Sequence, residues 1–474
     1  AAGKQVIALY FGRSAQGAAA TAAHTGALGG SYKAFQAFCR QHGISAVASM
    51  DEMLEYAALF SAIRRAPQPA GVALVGVSGG GVAHVADFAA EAGLVLPGLA
   101  PATVAGLREI LPGYVTPQNP LDVTGLPFAD GSVYTRVLEL LAADPAVGLI
   151  GALQDVPAGL DDGGAAEYLP IAAGIAGFVA ANATPVVVLS NLAAGHHPHF
   201  RDALAEAGVP WLNGTQTSLR ALRRLVDPPS NPQITRPEPL TPDPNWLARL
   251  GRGPALTERE AKALLATHGL PVPREELARS SAEAVALAEA IGYPVVLKIE
   301  APAITHKSDA GGVLLNLADA AAVAAGYEQI MAAAAAAQPE ADLHGVLVGP
   351  MVRGGTEAFV SISRQAPFGL GLMLGAGGIY VELLGEPELA LLPLDRPAIA
   401  GLLARSPLGR LLGGYRGRPA GDSDTLIETI YQLCRLAGAY AGQIDTIELN
   451  PIAVLPAGQG VFVLDALILT TTQP

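Results

Sequence analysis

Short apolar runs alternate with longer amphipathic stretches along most of this chain. Residues 6–10 read as a strand of β-formers, closed by Gly12 and Ser14. A helix is expected over 31–41, with Gly43 as its stop. From residue 72 the pattern becomes strand, glycine turn and helix: apolar 72–77, then Ser78-Gly79-Gly80-Gly81, then 82–92 stopped by Gly93. Apolar strands recur at 147–153 and 185–189, with helical stretches at 133–143 and 168–181. Strands that alternate with helices predict a parallel, doubly wound sheet, and this unit closes near Leu225.

Pro228, Pro229, Pro232, Pro237, Pro239, Pro242 and Pro244 follow in quick succession. Proline lacks the amide that helices and inner strands need, so this stretch reads as an extended linker. Beyond it, Thr257 and Glu260 make a capping box for a helix over 258–267 that Gly269 ends. A helix over 281–291 ends at Gly292 before a strand at 294–299. The alanine-rich stretch 320–338 is a helix by propensity alone. Strands follow at 346–352 and 358–363, and a last pair, 446–449 with 461–464, is expected to form a hairpin.

The 474 residues suggest three domains at roughly 150 residues each. With 29 basic and 42 acidic residues the net charge is −13, which opposes a nucleic-acid partner. An apolar share of 51% against 15% charged residues excludes disorder for most of the chain. Two cysteines far apart, Cys39 and Cys434, give neither a disulfide framework nor a thiolate metal site. No apolar run of about 18 residues is apparent, so no membrane partner is expected. The first residues do not read as a signal peptide. A cytoplasmic enzyme is the default class. Because the chain starts without Met at the edge of a strand, an N-terminal part is expected to be missing or supplied by a separate polypeptide.

Four places could carry chemistry. His24 stands among small residues in Ala22–Gly30, where a neutral imidazole could accept a phosphoryl group; alone, it reads first as a histidine in a flexible glycine loop. Ser78-Gly79-Gly80-Gly81 could present helix N-terminal amides to a phosphate or carboxylate, or be an ordinary tight turn. Lys298 ends an apolar strand and needs an anion such as a nucleotide phosphate unless it snorkels to water; the Gly311-Gly312 turn could cover the same phosphates. Glu448, Asn450 and Asp465 carry oxygen ligands of the kind Mg²⁺ prefers, or are turn residues. His196-His197-Pro198-His199 is read as a solvated loop because Pro198 interrupts it and no carboxylate motif accompanies it.

Taken in order, these segments resemble the NDP-forming acyl-CoA synthetase superfamily, which includes ADP-forming acetate–CoA ligases and succinyl-CoA synthetase. The resemblance rests on HTGALGG, VSGGG with NPLDVTG, LTEREAKALLATHGLPVP, YPVVLKIEAPAITHKSDAGGV, GYRGRP and ELNPIAV with VLDA. It implies an α/β protein with flavodoxin-like, succinyl-CoA-synthetase-type ligase domains followed by an ATP-grasp module. The implied divisions are the end of a first ligase domain at 1–66, a second at 67–226, a linker at 227–254 and ATP-grasp at 255–474.

By this resemblance His24 is the phosphorylated histidine, and Ser78, Gly79 and Gly80 open the helix that steadies its phosphoryl group. Lys298, Gly311 and Gly312 hold ATP phosphates, the strand with Val348 and Met351 flanks adenine, and Glu357 is a nucleotide-side carboxylate. Asn450 and Asp465 ligate Mg²⁺, Glu448 orients the histidine ring, and His306 relays the phosphoryl group. The cofactors implied are ATP/ADP, Mg²⁺ and CoA as cosubstrate. The partners implied are a carboxylic acid, a CoA-binding domain or separate chain, and a homo-oligomer. The alternatives left open are an ATP-grasp carboxylate–amine ligase and a non-catalytic sensor of acyl-CoA or nucleotide.

Overall fold

The computed structural model describes residues 4–25, 31–193, 196–228, 234–252, 255–304, 307, 310–378, 386–414, 417 and 419–471, the side chains of 22–25 excepted. Two compact units emerge: Ala1–Ala20 with Cys39–Pro232, and Thr21–Phe38 with Gln233–Pro474.

In the first unit β1 (Ile7–Leu9) and β2 (Ser45–Val47) form a parallel pair. A parallel sheet follows, built from β3 (Val72–Gly76), β4 (Leu121–Asp122), β5 (Leu149–Leu153), β6 (Val186–Ser190) and β7 (Trp211–Asn213). Its order is β4-β3-β5-β6-β7. Every residue of β3, β5 and β6 is buried, because helices cover both faces, so these strands read as unbroken apolar runs. Tyr134, Val137 and Phe178 pack on one face, Val85, Leu219 and Leu222 on the other. This is the flavodoxin-like order: the chain winds to one side from β3 to β4 and to the other through β5. The C-terminal ends of β3 and β5 therefore part at the reversal, where such folds hold ligands.

The doubly wound sheet is as expected, but the glycine turn is not. Gly79 begins the helix Gly79–Glu91, and Ser78 is its N-cap, accepting a hydrogen bond from the Gly81 amide at 3.4 Å. First-turn amides have no partner within the helix, so capping, rather than propensity, sets this start. The strands β4 and β7 and the helices Met50–Ala62, Pro101–Ile110 and Thr215–Val226 are additional to the sequence reading.

In the second unit β8 (Glu276–Ala278), β9 (Val295–Glu300), β10 (Val313–Leu317) and β11 (Gly345–Pro350) form an antiparallel sheet in the order β10-β9-β11-β8. The polyalanine helix Ala320–Ala337 lays Val323, Tyr327, Ile330 and Ala334 on it. A larger sheet contains β12 (Thr356–Arg364), β13 (Leu370–Ala376), β14 (Glu388–Leu391), β15 (Ile444–Val454) and β16 (Val461–Val463), with β17 (Ala466–Thr470) also on β15. Residues of the early segment belong here: Ala34 and Ala37 are buried with Leu389 and Leu391, and the Phe38 ring lies 5.3 Å from that of Phe368.

The expected terminal hairpin is corrected. Thr446 and Leu449 pair with β17, while β16 meets β15 only at Ile452, Ala453 and Val454. A register shift opposite Asn450 and Pro451 lets β15 continue through a proline that would otherwise end it. Within the expected linker, Asp243 caps a helix Pro244–Leu250 with proline in its first turn. Two stretches, Asp162–Ala181 and Ala320–Ala337, prove long and apolar enough by composition to cross a membrane. Ile171, Ile175 and Phe178 of the first, and Val323 and Ile330 of the second, lie in the cores under the two sheets.

Candidate active site

Alternation along β15 puts Leu449 in the core and leaves Glu448 and Asn450 on the opposite face. Asp465, between β16 and β17, joins them at the wall of a cavity of about 250 Å³. Glu258, Glu300 and Lys307 line the same space. The ligand set is carboxylate and amide oxygen, which suits Mg²⁺ far better than a soft metal. Glu300 is buried, and its Oε1 has no hydrogen-bond partner among the described residues, only the Arg259 guanidinium 3.8 Å away. Such an orphaned oxygen facing cations and carboxylates fits a site that completes itself with a ligand. Lys307 supplies the positive charge a nucleotide phosphate needs.

Behind this wall three lysines meet two glutamates. Lys298 Nζ lies 2.8 Å from Glu258 and 3.3 Å from Glu275, and donates to the Leu464 carbonyl. Lys262 Nζ lies 2.7 Å from Glu258 and 2.8 Å from Glu275. Lys307 Nζ is 2.6 Å from Glu258 and 3.5 Å from Asp465. Burial would raise the Glu258 carboxyl, but Lys298, Lys262 and Lys307 hold it well below the usual range. Burial would likewise lower Lys298 and Lys307; Glu258 and its acidic neighbours push both up instead. Lys262 goes the other way, lowered by burial and by Lys298 despite its two glutamates. Glu300 is pushed up, chiefly by burial.

A second cavity, of about 280 Å³, lies at the parted ends of β3 and β5. Ser78 and Gly81 of the helix start line it, with Asp155, Asn191, Phe128 and Tyr168. Asp155 accepts from Ser190 Oγ at 2.7 Å, the Asn191 amide at 2.8 Å and Asn191 Nδ2 at 3.1 Å, which fixes the loop after β6. Two of the glycines are crowded by their neighbours: a Cβ on Gly79 would come 2.9 Å from Asp122 Oδ2, and one on Gly81 3.3 Å from Asn191 Nδ2. Gly80 faces open space.

Glu448, Asn450 and Asp465 thus line one cavity, and Ser78, Gly79 and Gly80 stand exposed at a helix start. Lys298 lies within β9 rather than at its end, bound to carboxylates behind the cavity. Gly311 takes the left-handed conformation that a turn requires, but the Gly312 amide already donates to the Lys307 carbonyl at 2.7 Å, so it is not free to cover a phosphate. Val348 is buried in the core beneath β9 and β11; Met351 is half-buried past that strand, and Glu357 is exposed on β12. The backbone of His24 closes the helix Ala15–Thr25 rather than a loop, and its side chain lies outside the described residues. His306 also lies outside them, between Ile304 and Lys307, which line the first cavity. Glu258, Lys262, Glu275, Glu300 and Lys307 escaped sequence reasoning, although the Glu258–Lys262 spacing of one helical turn was a visible sign.

The histidine loop is also corrected. Pro198 starts the helix Pro198–Glu206, His197 is buried, and Asp162 lies 3.6 Å from His197 and 3.8 Å from His199. His196 stacks on Trp211 at 4.0 Å between ring centres.

One unit thus holds a doubly wound, flavodoxin-like sheet with a ligand crevice, and the other a two-sheet module whose acidic strand face meets lysines. Residues 248–469 match the family described as ATP-grasp domain, and residues 1–60 the succinyl-CoA ligase like flavodoxin domain. The chain belongs to the family of ADP-forming acyl-CoA synthetases. It is 34% identical to the acetate–CoA ligase (ADP-forming) II subunit beta of Pyrococcus furiosus, over 45% of this chain and 91% of that one. It is 31% identical to a 4-hydroxybutyrate–CoA ligase (ADP-forming) of Nitrosopumilus maritimus over 98% of its own length, and spans 66% of that relative. A solved dinucleotide-forming acetyl-coenzyme A synthetase 1 of Ca. Korarchaeum cryptofilum matches with 31% identity and a TM-score of 0.46, over 48% of this chain and 99% of that one.

Proposed function

We propose that this chain carries the nucleotide site and the phosphohistidine of an ADP-forming acyl-CoA synthetase. The observation that carries the reading is the convergence of Glu448, Asn450, Asp465 and Lys307 on one cavity. Asn450 and Asp465 would hold Mg²⁺, which supplies charge neutralisation for the phosphate oxygens. Lys307 would hold ATP phosphates, with Lys298 behind it adding positive charge, and His306, the neighbour of Lys307 in sequence, is assigned the relay.

A carboxylate oxygen is a hopeless leaving group until it carries a phosphoryl group. In the proposed sequence the acid, at the Ser78–Gly81 helix start, attacks the phosphorus on His24; the P–N bond breaks and an acyl phosphate forms. The CoA thiolate then adds to the acyl carbon and phosphate departs. ATP rephosphorylates His24, leaving ADP. Histidine thus divides one difficult transfer into steps that depend on positioning and charge. The first relatives extend well beyond this chain, and one is a subunit of a two-chain ligase, so CoA binding is assigned to a further domain or partner.

In the full-length protein, γ-labelled ATP with Mg²⁺ is expected to give an acid-labile, base-stable label that His24→Ala abolishes. Label retained in that variant would sink the relay. Absence of any phosphoenzyme alongside ATP-dependent amide formation would instead favour a carboxylate–amine ligase.

A further inference from the structure

Parallel register pairs Gly76 with Leu153, so the next residues outward across the switch point are Val77 and Gln154. Strand alternation carries Gln154 to the face of Ile150 and Ala152, toward Phe128 and Tyr168. It lines the cavity in front of the Ser78–Gly81 helix start, yet is only 2% exposed. Its Oε1 is buried without a hydrogen-bond partner among the described residues. A buried amide oxygen left unpaired is costly, and native structures tolerate one where a ligand satisfies it.

The remaining walls narrow what that ligand is. Phe128 and Tyr168 meet edge to face at 5.1 Å, and Leu153 and Val82 add aliphatic surface. Among the described residues the cavity lining has no lysine or arginine, and Asp155 is its one carboxylate. A second carboxylate on the ligand would face Asp155 without a counter-ion. A hydroxyl both donates and accepts, so it satisfies either end of the Gln154 amide.

We propose that Gln154 reads the tail of the acid substrate, and that this cavity selects monocarboxylic acids with an apolar or aromatic body and a hydroxyl. The carboxylate lies at the helix start and the hydroxyl at Gln154. The assignment rests on the acid occupying the Ser78–Gly81 site of the proposed function.

Equilibrium binding tests it on the full-length protein without ATP or CoA. Ligand-observed NMR would compare butyrate with its ω-hydroxy counterpart, phenylpropanoate with its para-hydroxy counterpart, and glutarate as the dicarboxylate. The hydroxy member of at least one pair is expected to bind about tenfold tighter than its parent. In Gln154→Leu that ratio falls to near unity while the parent acid binds at least as well, an outcome that general damage to the fold would not produce. Equal binding within both pairs, discrimination retained in the variant, or preference for glutarate would overturn the assignment. Discrimination without acyl-CoA formation in the complete reaction would overturn the synthetase reading and leave Gln154 as a reader of hydroxy acids.

Discussion

Lys298 is the fourth residue of a strand whose six residues are all buried. An isolated ammonium there would cost several kcal/mol, and the sheet admits it only because Glu258 and Glu275 reach across to it. The same glutamates serve Lys262, so losing either glutamate strands charge. Glu258→Gln is expected to lower stability by about 3–5 kcal/mol in urea unfolding, because Lys262 and Lys298 then share Glu275 alone and Lys307 keeps only Asp465. Lys298→Met should cost less, since Lys262 and Lys307 still neutralise Glu258; the reverse ranking would show that Lys298 is the keystone. Glu300 shows the opposite economy. Burial raises its carboxyl, so its protonated form favours folding below the unfolded value of 4.5, and that contribution is lost as pH rises through the higher folded value. Glu300→Gln should therefore raise the melting temperature at neutral pH, by the equivalent of about 1 kcal/mol. The gain should vanish in acid below 4.5. A variant no more stable than the parent at neutral pH would mean that Glu300 is better satisfied than its orphaned oxygen suggests.

At the scale of elements, the helix Gly79–Glu91 shows how one segment can be legible in kind and not in detail. The apolar run of β3 and the periodicity after Val82 follow from burial on both faces and from a helix covering a sheet, and both can be seen in the residues alone. What the local pattern does not contain is that Asp122, from the next strand, and Asn191, from the loop after β6, crowd two of the three glycines. Gly80→Ala is accordingly expected to stabilise the helix by up to about 0.5–1 kcal/mol through loss of unfolded-state freedom. Gly79→Ala should destabilise, since its methyl would press on the Asp122 carboxylate at 2.9 Å. Thermal melts of the two variants with opposite signs would support this division, and equal effects would refute it. The same limit explains the rest of what sequence reasoning missed. β4 and β7 span two and three residues, too short for any period to register. Lys298, Lys307, Glu258 and Glu275 meet only after the strands pair. Gln154 reads as an ordinary strand-end residue until burial leaves its amide oxygen unpaired. Glu448 and Asn450 fall on one cavity wall because residues two apart on a strand face the same way, although the hairpin expected to bring Asp465 to them is not the pairing observed.

Over the whole molecule, ionic stabilisation is uneven. In the second unit Glu258, Glu260 and Asp422 are held below their ordinary ranges: burial opposes this in each case, and lysines, Arg249 and loop amides respectively outweigh it. In the first unit Asp144 is the buried carboxylate held down in this way, by the Ala100 and Ala146 amides and Thr103. Asp130 is lowered too, by Ser132, but it is exposed and solvent screens it. A depressed carboxyl contributes stability that is complete above its unfolded value, 4.5 for the glutamates and 3.8 for the aspartates, and is lost as pH falls toward its folded value. Acid should therefore weaken the second unit more than the first. The chain carries its own reporters, since its two tryptophans, Trp211 and Trp246, fall one in each unit. Trp246→Phe leaves Trp211 to follow the first unit, and Trp211→Phe leaves Trp246, whose indole donates to Thr267 at 3.2 Å, to follow the second. Urea midpoints from indole emission, taken at neutral pH and again below 4.5, are expected to fall further for the Trp246 reporter. Equal shifts would mean that the units unfold as one cooperative body or that the lysine–glutamate cluster is not the main acid-sensitive element, and Glu258→Gln in the Trp246 background separates the two, since only the second outcome leaves its acid shift unchanged.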